Sequence, residues 1–145
     1  MNEEIRVLLV EDDDNDAEMA LRVLTKAGLT GAAVRVRDGQ EALDLLLGGG
    51  RGAPRTTRNL RLIVLDLKLP RVDGLDLLSR LRADPRTWNV PVVVLTSSML
   101  PADVSASYRA GANSFLVKTV AFESQAQTLR EVASYWLRLN VTAEN

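Results

Sequence analysis

Leu62-Ile63-Val64-Leu65-Asp66-Leu67-Lys68-Leu69-Pro70 is the stretch whose reading decides the fold. Its first four residues are all aliphatic, too few for a helix and apolar towards both sides. That is the signature of a strand covered on two faces, as in a parallel sheet. The run ends abruptly on an acid, Asp66. Outward from it the same pattern recurs. Ile5–Val10 runs out into Glu11-Asp12-Asp13, and Val92–Leu95 into Thr96-Ser97-Ser98. Ala32–Val36 and Ser114–Val117 are two further short runs, the second ending on Lys118.

Between these runs lie longer segments with helical spacing. The apolar positions are Ala17, Ala20, Leu21 and Leu24, then Ala42, Leu43 and Leu46, then Leu75, Leu78 and Leu81. A last helix is expected from about Ala121 to Leu139, with Phe122, Ala126, Leu129, Ala133 and Trp136 as its core stripe. Gly28 follows the first helix, Asp84-Pro85 closes the third, Pro91 precedes the fourth strand and Pro101 opens the fourth helix. Strand and helix alternate five times, which implies right-handed crossovers. The expected fold is α/β: a doubly wound, five-stranded parallel sheet in the flavodoxin-like order 2-1-3-4-5.

Composition narrows the chemistry. The 145 residues suit one domain, 1–145, that buries roughly 68–70% of its unfolded surface. Neither cysteine nor histidine occurs, which excludes disulfides, thiolate or imidazole metal sites and Ser-His-Asp catalysis. A net charge of −1 argues against wholesale capture of nucleic acid. The start lacks a secretory pattern and no apolar run is long enough to span a bilayer, so a cytoplasmic protein with no membrane contact is expected. Residues 48–61 form a long connection with four arginines and no acid. It reads as a solvated loop, with docking of an acidic partner as the sharper alternative.

In a doubly wound sheet, ligands bind beyond the carboxyl ends of the strands where the order reverses, here between strands 1 and 3. Glu11, Asp12 and Asp66 converge there, with Thr96 and Lys118 from the next two strand ends. Two carboxylates about 4 Å apart repel by roughly 4 kcal/mol at an effective dielectric near 20. The cluster therefore calls for a cation, and hard oxygen ligands around an open pocket suit Mg²⁺. A carboxylate so neutralised can accept a phosphoryl group. Asp13, Asp14 and Asp16 read as caps of the first helix, where the dipole favours acids.

With these residues the chain resembles the receiver domain of two-component response regulators over about residues 4–140. Val10-Glu11-Asp12, Leu65 to Pro70 with Asp73-Gly74, Pro91 to Thr96, and Ala110 to Lys118 carry the resemblance, in order and at the family's spacing. The resemblance implies that Asp66 takes a phosphoryl group from a sensor histidine kinase. It makes Asp66, Thr96 and Lys118 the catalytic set. Asp12, Asp66 and the Lys68 backbone carbonyl would bind Mg²⁺, with Glu11 acting through a metal-bound water. Thr96 and Phe115 would form the switch, and Lys68 and Ser98 would tune dephosphorylation.

The basic connection, the form of strand 4 and Tyr135-Trp136-Leu137 look like stand-alone receivers that serve phytochrome-type kinases, with no output domain. The protein would then be a phosphoacceptor rather than a dedicated enzyme. A homodimer through helix 4, strand 5 and helix 5 is expected, because Val132, Tyr135 and Leu139 extend the apolar stripe sideways. Lys118 precedes Thr119 where the family normally has proline, so a trans peptide and a different path after strand 5 are expected. A phosphatase of the haloacid dehalogenase type would want a second aspartate two residues after the nucleophile, and position 68 is lysine.

Overall fold

Alternation along the strands sorts the aliphatic side chains onto two sides of one sheet. Val7, Leu9, Leu62, Val64, Val93 and Leu95 pack on one face, and Leu8, Val10, Ile63, Leu65, Val92 and Val94 on the other. The computed structural model describes residues 5–27, 32–48 and 57–143. Their elements are β1 (Ile5–Val10), α1 (Asp14–Lys26), β2 (Ala32–Val36), α2 (Gly39–Leu47), β3 (Leu62–Leu65) and α3 (Gly74–Ala83), then β4 (Val92–Thr96), α4 (Pro101–Ala110), β5 (Ser114–Val117) and α5 (Phe122–Ser134). All strand pairings are parallel and the order is β2-β1-β3-β4-β5, as expected. α1 and α5 cover the first face; α2 and α3 cover the second. Each fully buried Leu or Ile of these layers stabilises the fold by about 1.5–3 kcal/mol.

The helix starts share one device. Asp13, Asp38 and Asp73 are N-caps whose carboxylates accept from the backbone N–H groups of Asp16, Glu41 and Asp76. Pro101 opens α4 in its first turn. Gly111 ends it at φ +111°, where a side chain would be strained and would strike Arg82.

Three expectations are corrected. Phe122 is not in the core: it is 56% exposed, at the first turn of α5 beyond the sheet. Val132, expected at the surface, is buried at 8% exposure. The buried face is centred on Leu129 with Gln125, Ala126, Val132 and Ala133 around it, so the stripe is rotated from the one the apolar residues alone suggest. Third, regular helix stops at Ser134, and Tyr135–Leu139 widens into a π-turn closed by Asn140 N–H donating to the Tyr135 carbonyl at 2.7 Å. Gly28 and positions 49–56 of the basic connection lie outside the described residues. Among those described there is no cis peptide bond, so Thr119 follows a trans bond. No described helix is long and apolar enough to cross a membrane.

Candidate functional site

Each site residue is set in place by the sheet's own ladder. Glu11 N–H donates to the Val36 carbonyl at 3.1 Å and Asp66 N–H to the Val10 carbonyl at 3.0 Å, one rung beyond β1 and β3. Lys118 N–H donates to the Thr96 carbonyl at 2.7 Å, tying the end of β5 to the end of β4. Behind Asp66 the backbone turns closely past Gly74, where a Cβ would sit 2.5 Å from the Asp66 carbonyl oxygen. Any larger residue would push the loop after β3 away from the site.

The charged groups converge as the sequence suggested. Carboxylate oxygens of Glu11, Asp12 and Asp66 lie within 4.8 Å of one another. Lys118 Nζ is 2.7 Å from Glu11 Oε1 and 3.0 Å from Asp66 Oδ2. Glu11 and Asp66 are buried, whereas Asp12 is exposed. Lys68 is also exposed; its backbone N–H points to Asp66 Oδ1 at 3.5 Å. Thr96 is fully buried, with its hydroxyl 3.5 Å from Ser98 N. Phe115 is partly buried against the core on the α3 side. Ser98 Oγ donates to Asp103 in α4 rather than facing Asp66.

Two participants were not read as such from the sequence. Asp16, taken for a cap, places Oδ2 2.9 Å from Lys118 Nζ. Its position three residues after the N-cap is equally that of a capping acid, so its neighbourhood in sequence carries no signal of Lys118. Gln125, a polar residue in the buried face of α5, accepts the Thr119 N–H at 2.9 Å. With Leu9, Met19 and Phe122, the residues Glu11, Asp16, Asp66, Lys118 and Gln125 line a cavity of about 210 Å³.

One ammonium therefore faces three carboxylates. Burial pushes the Glu11 carboxyl up to about 7; its bonds to Lys118 and to Asp13 N–H pull it down, and the Asp66 charge adds to the rise. Burial works against the Lys118 charge, yet its bonds to Glu11, Asp16 and Asp66 outweigh that and hold its pKa above the usual lysine value. The excess negative charge and the all-oxygen donor set fit a hard divalent cation with open coordination positions.

Residues 7–130 match the profile of the family described as response regulator receiver domain. The chain is 40% identical over 137 residues to the probable methanogenesis regulatory protein FilR2 of Methanothrix harundinacea, covering 92% of this chain and 84% of that protein. It is 34% identical over 133 residues to response regulator Rcp1 of Synechocystis sp., covering 90% of this chain and 88% of Rcp1. The Mn²⁺-bound crystal structure of Rcp1 superposes with a TM-score of 0.85, at 32% identity, over 96% of this chain and 99% of that one. The phosphorylated cyanobacterial phytochrome response regulator RcpA gives a TM-score of 0.86 at 28% identity, covering 97% and 99% of the two chains. These likenesses agree with the fold, the acidic cluster and its lysine: the chain belongs to the response regulator receiver domain family.

Proposed function

We propose that the chain, residues 1–145, is a stand-alone response regulator without an output domain, phosphorylated on Asp66 by a sensor histidine kinase of the phytochrome type. The observation that carries the reading is the convergence of three carboxylates within 4.8 Å, with Lys118 Nζ 3.0 Å from Asp66. Support for the stand-alone form comes from Rcp1 and RcpA, whose solved chains are covered to 99%, and support for the kinase type from RcpA, a cyanobacterial phytochrome response regulator.

In the proposed reaction an Asp66 carboxylate oxygen attacks phosphorus, the P–N bond of a phosphohistidine breaks, and the imidazole leaves with a proton. Asp12, Asp66 and the Lys68 carbonyl would hold Mg²⁺, with Glu11 bonded to one of its waters. The bound ion supplies charge neutralisation and a template for the phosphoryl oxygens. Lys118 pairs with a phosphoryl oxygen, and the Thr96 hydroxyl moves to bond another. Phe115 follows Thr96 inward, which alters the face made by α4, β5 and α5. Tyr108 in α4, and Tyr135 and Leu139 in the turn that follows α5, are exposed and suit a homodimer contact. The protein would act in the cytoplasm as a phosphoacceptor, not as a dedicated enzyme, without touching membrane or nucleic acid.

Phosphotransfer from a purified phytochrome-type kinase tests the reading. Label should pass to this chain with Mg²⁺ and stop with chelator. No transfer from any such kinase, while acetyl phosphate still labels Asp66, would remove the partner assignment and leave the site.

A further inference from the structure

Gln125 is 5% exposed, on a helix face that is otherwise apolar. A buried amide is tolerated only when it is hydrogen-bonded. Its Oε1 accepts the Thr119 backbone N–H at 2.9 Å and lies 3.3 Å from the Thr119 hydroxyl. Thr119 immediately follows Lys118. On the other side, the Lys118 N–H is held by the Thr96 carbonyl at 2.7 Å. The peptide units flanking Lys118 are thus fixed from two directions, one by β4 and one by α5. A proline at 119 would have no N–H to give. Threonine supplies the donor, and Gln125 supplies the buried acceptor that keeps it satisfied.

We infer that Gln125 is a positioning residue for Lys118: by holding the Thr119 N–H it fixes the backbone from which the ammonium reaches Asp66. This rests on the reading of Asp66 as the phosphoacceptor and deepens it. Lys118 Nζ lies 3.0 Å from Asp66 Oδ2, where the incoming phosphoryl group must be met. A displacement of about 1 Å in such a group can cost up to about 10²-fold in rate. The acids around Lys118 still attract the ammonium when the anchor is lost, so the expected loss is smaller, about tenfold.

The test compares wild type, Gln125→Leu and Gln125→Glu with acetyl phosphate as donor and Mg²⁺ present. The readouts are the labelling rate at saturating donor, the Mg²⁺ dissociation constant by calorimetry, and the ¹³Cε-lysine NMR spectrum. The chain has three lysines, Lys26, Lys68 and Lys118, so the Lys118 signal is identified by its loss in Lys118→Arg. Gln125→Leu should lower the saturating rate about tenfold, move the Lys118 signal towards those of the other two lysines, and leave Mg²⁺ affinity within about twofold. Gln125→Glu, which keeps an acceptor oxygen, should retain most of the rate. If Gln125→Leu does not fold, Gln125→Met, which keeps the unbranched length of the side chain but offers no amide oxygen, carries the same expectations. A wild-type rate and an unmoved Lys118 signal in Gln125→Leu would overturn the inference alone. A wild type that is not labelled on Asp66 would remove the site reading and the inference together.

Discussion

Asp16 Oδ2 lies 2.9 Å from Lys118 Nζ, joining the first turn of α1 to the end of β5 across 102 positions of sequence. Lys118 is therefore shared among Glu11, Asp16 and Asp66. Asp16 differs from the other two: its side chain is half exposed and it stands outside the cluster of Glu11, Asp12 and Asp66. It competes for the ammonium without belonging to the cation site.

Asp16→Asn should leave the fold intact and speed labelling by acetyl phosphate. A half-exposed pair is worth about 0.2–1 kcal/mol, which bounds the gain at about fivefold. Stopped-flow or quench measurements of the labelling rate check this; a slower rate would mean that Asp16 orients Lys118 rather than competing for it.

Glu11 sets a pH dependence in the metal-free protein. A carboxyl whose folded pKa exceeds its unfolded value binds its proton more tightly in the native state. Between about pH 4.5 and 7 folding therefore takes up a proton, and native stability falls as pH rises. Melting in chelator should show this decline in wild type and a flatter profile in Glu11→Gln. Equal slopes in the two proteins would assign the effect to other groups.

Asp12→Ala removes one acid from a mutually repelling set at little packing cost, since Asp12 is exposed. Its melting temperature in chelator should match or exceed that of wild type, while Mg²⁺ no longer raises it and labelling is lost. Calorimetric Mg²⁺ binding by this variant at wild-type affinity would refute the ligand assignment.

How much of this was legible in the sequence depends on whether a residue's role is written in its own neighbourhood. β3 is a continuous aliphatic run and β1 is one from Val7 to Val10, both ending in acids, and doubly wound topology alone carries Glu11, Asp12 and Asp66 to one spot. Asp13 was readable as a cap because capping is local. Asp16 was not readable as a partner of Lys118, because local capping chemistry accounts equally well for an acid there. The rotation of the α5 stripe is not legible because Gln125 is polar: only the Thr119 N–H it satisfies makes its burial tolerable, and that contact depends on the fold. Phe122 fits the apolar period but stands exposed at the first residue of α5.

Arg82 gives a prediction about stability alone. Its half-buried guanidinium donates to the carbonyls of Val90 at 2.7 Å, Gly111 at 2.9 Å and Trp88 at 3.1 Å, and to Asn113 Oδ1 at 2.9 Å. Asn113 Oδ1 in turn accepts the Val92 N–H at 2.8 Å. Arg82→Met leaves several of these acceptors unpaired, at about 1–3 kcal/mol for each that water cannot reach. A loss of about 3 kcal/mol or more is expected, close to 10 °C in melting temperature. Arg82→Lys should not restore it, because an ammonium lacks the planar fork. Denaturant melts of the three proteins decide the matter; a lysine variant as stable as wild type would contradict the geometry.

Asp66 is proposed as the sole phosphoacceptor. Intact-mass analysis after treatment with acetyl phosphate and Mg²⁺, run on wild type and Asp66→Asn, measures this directly. One added phosphoryl group is expected on the wild type, none without Mg²⁺, and none on Asp66→Asn. Undiminished labelling of Asp66→Asn would contradict it.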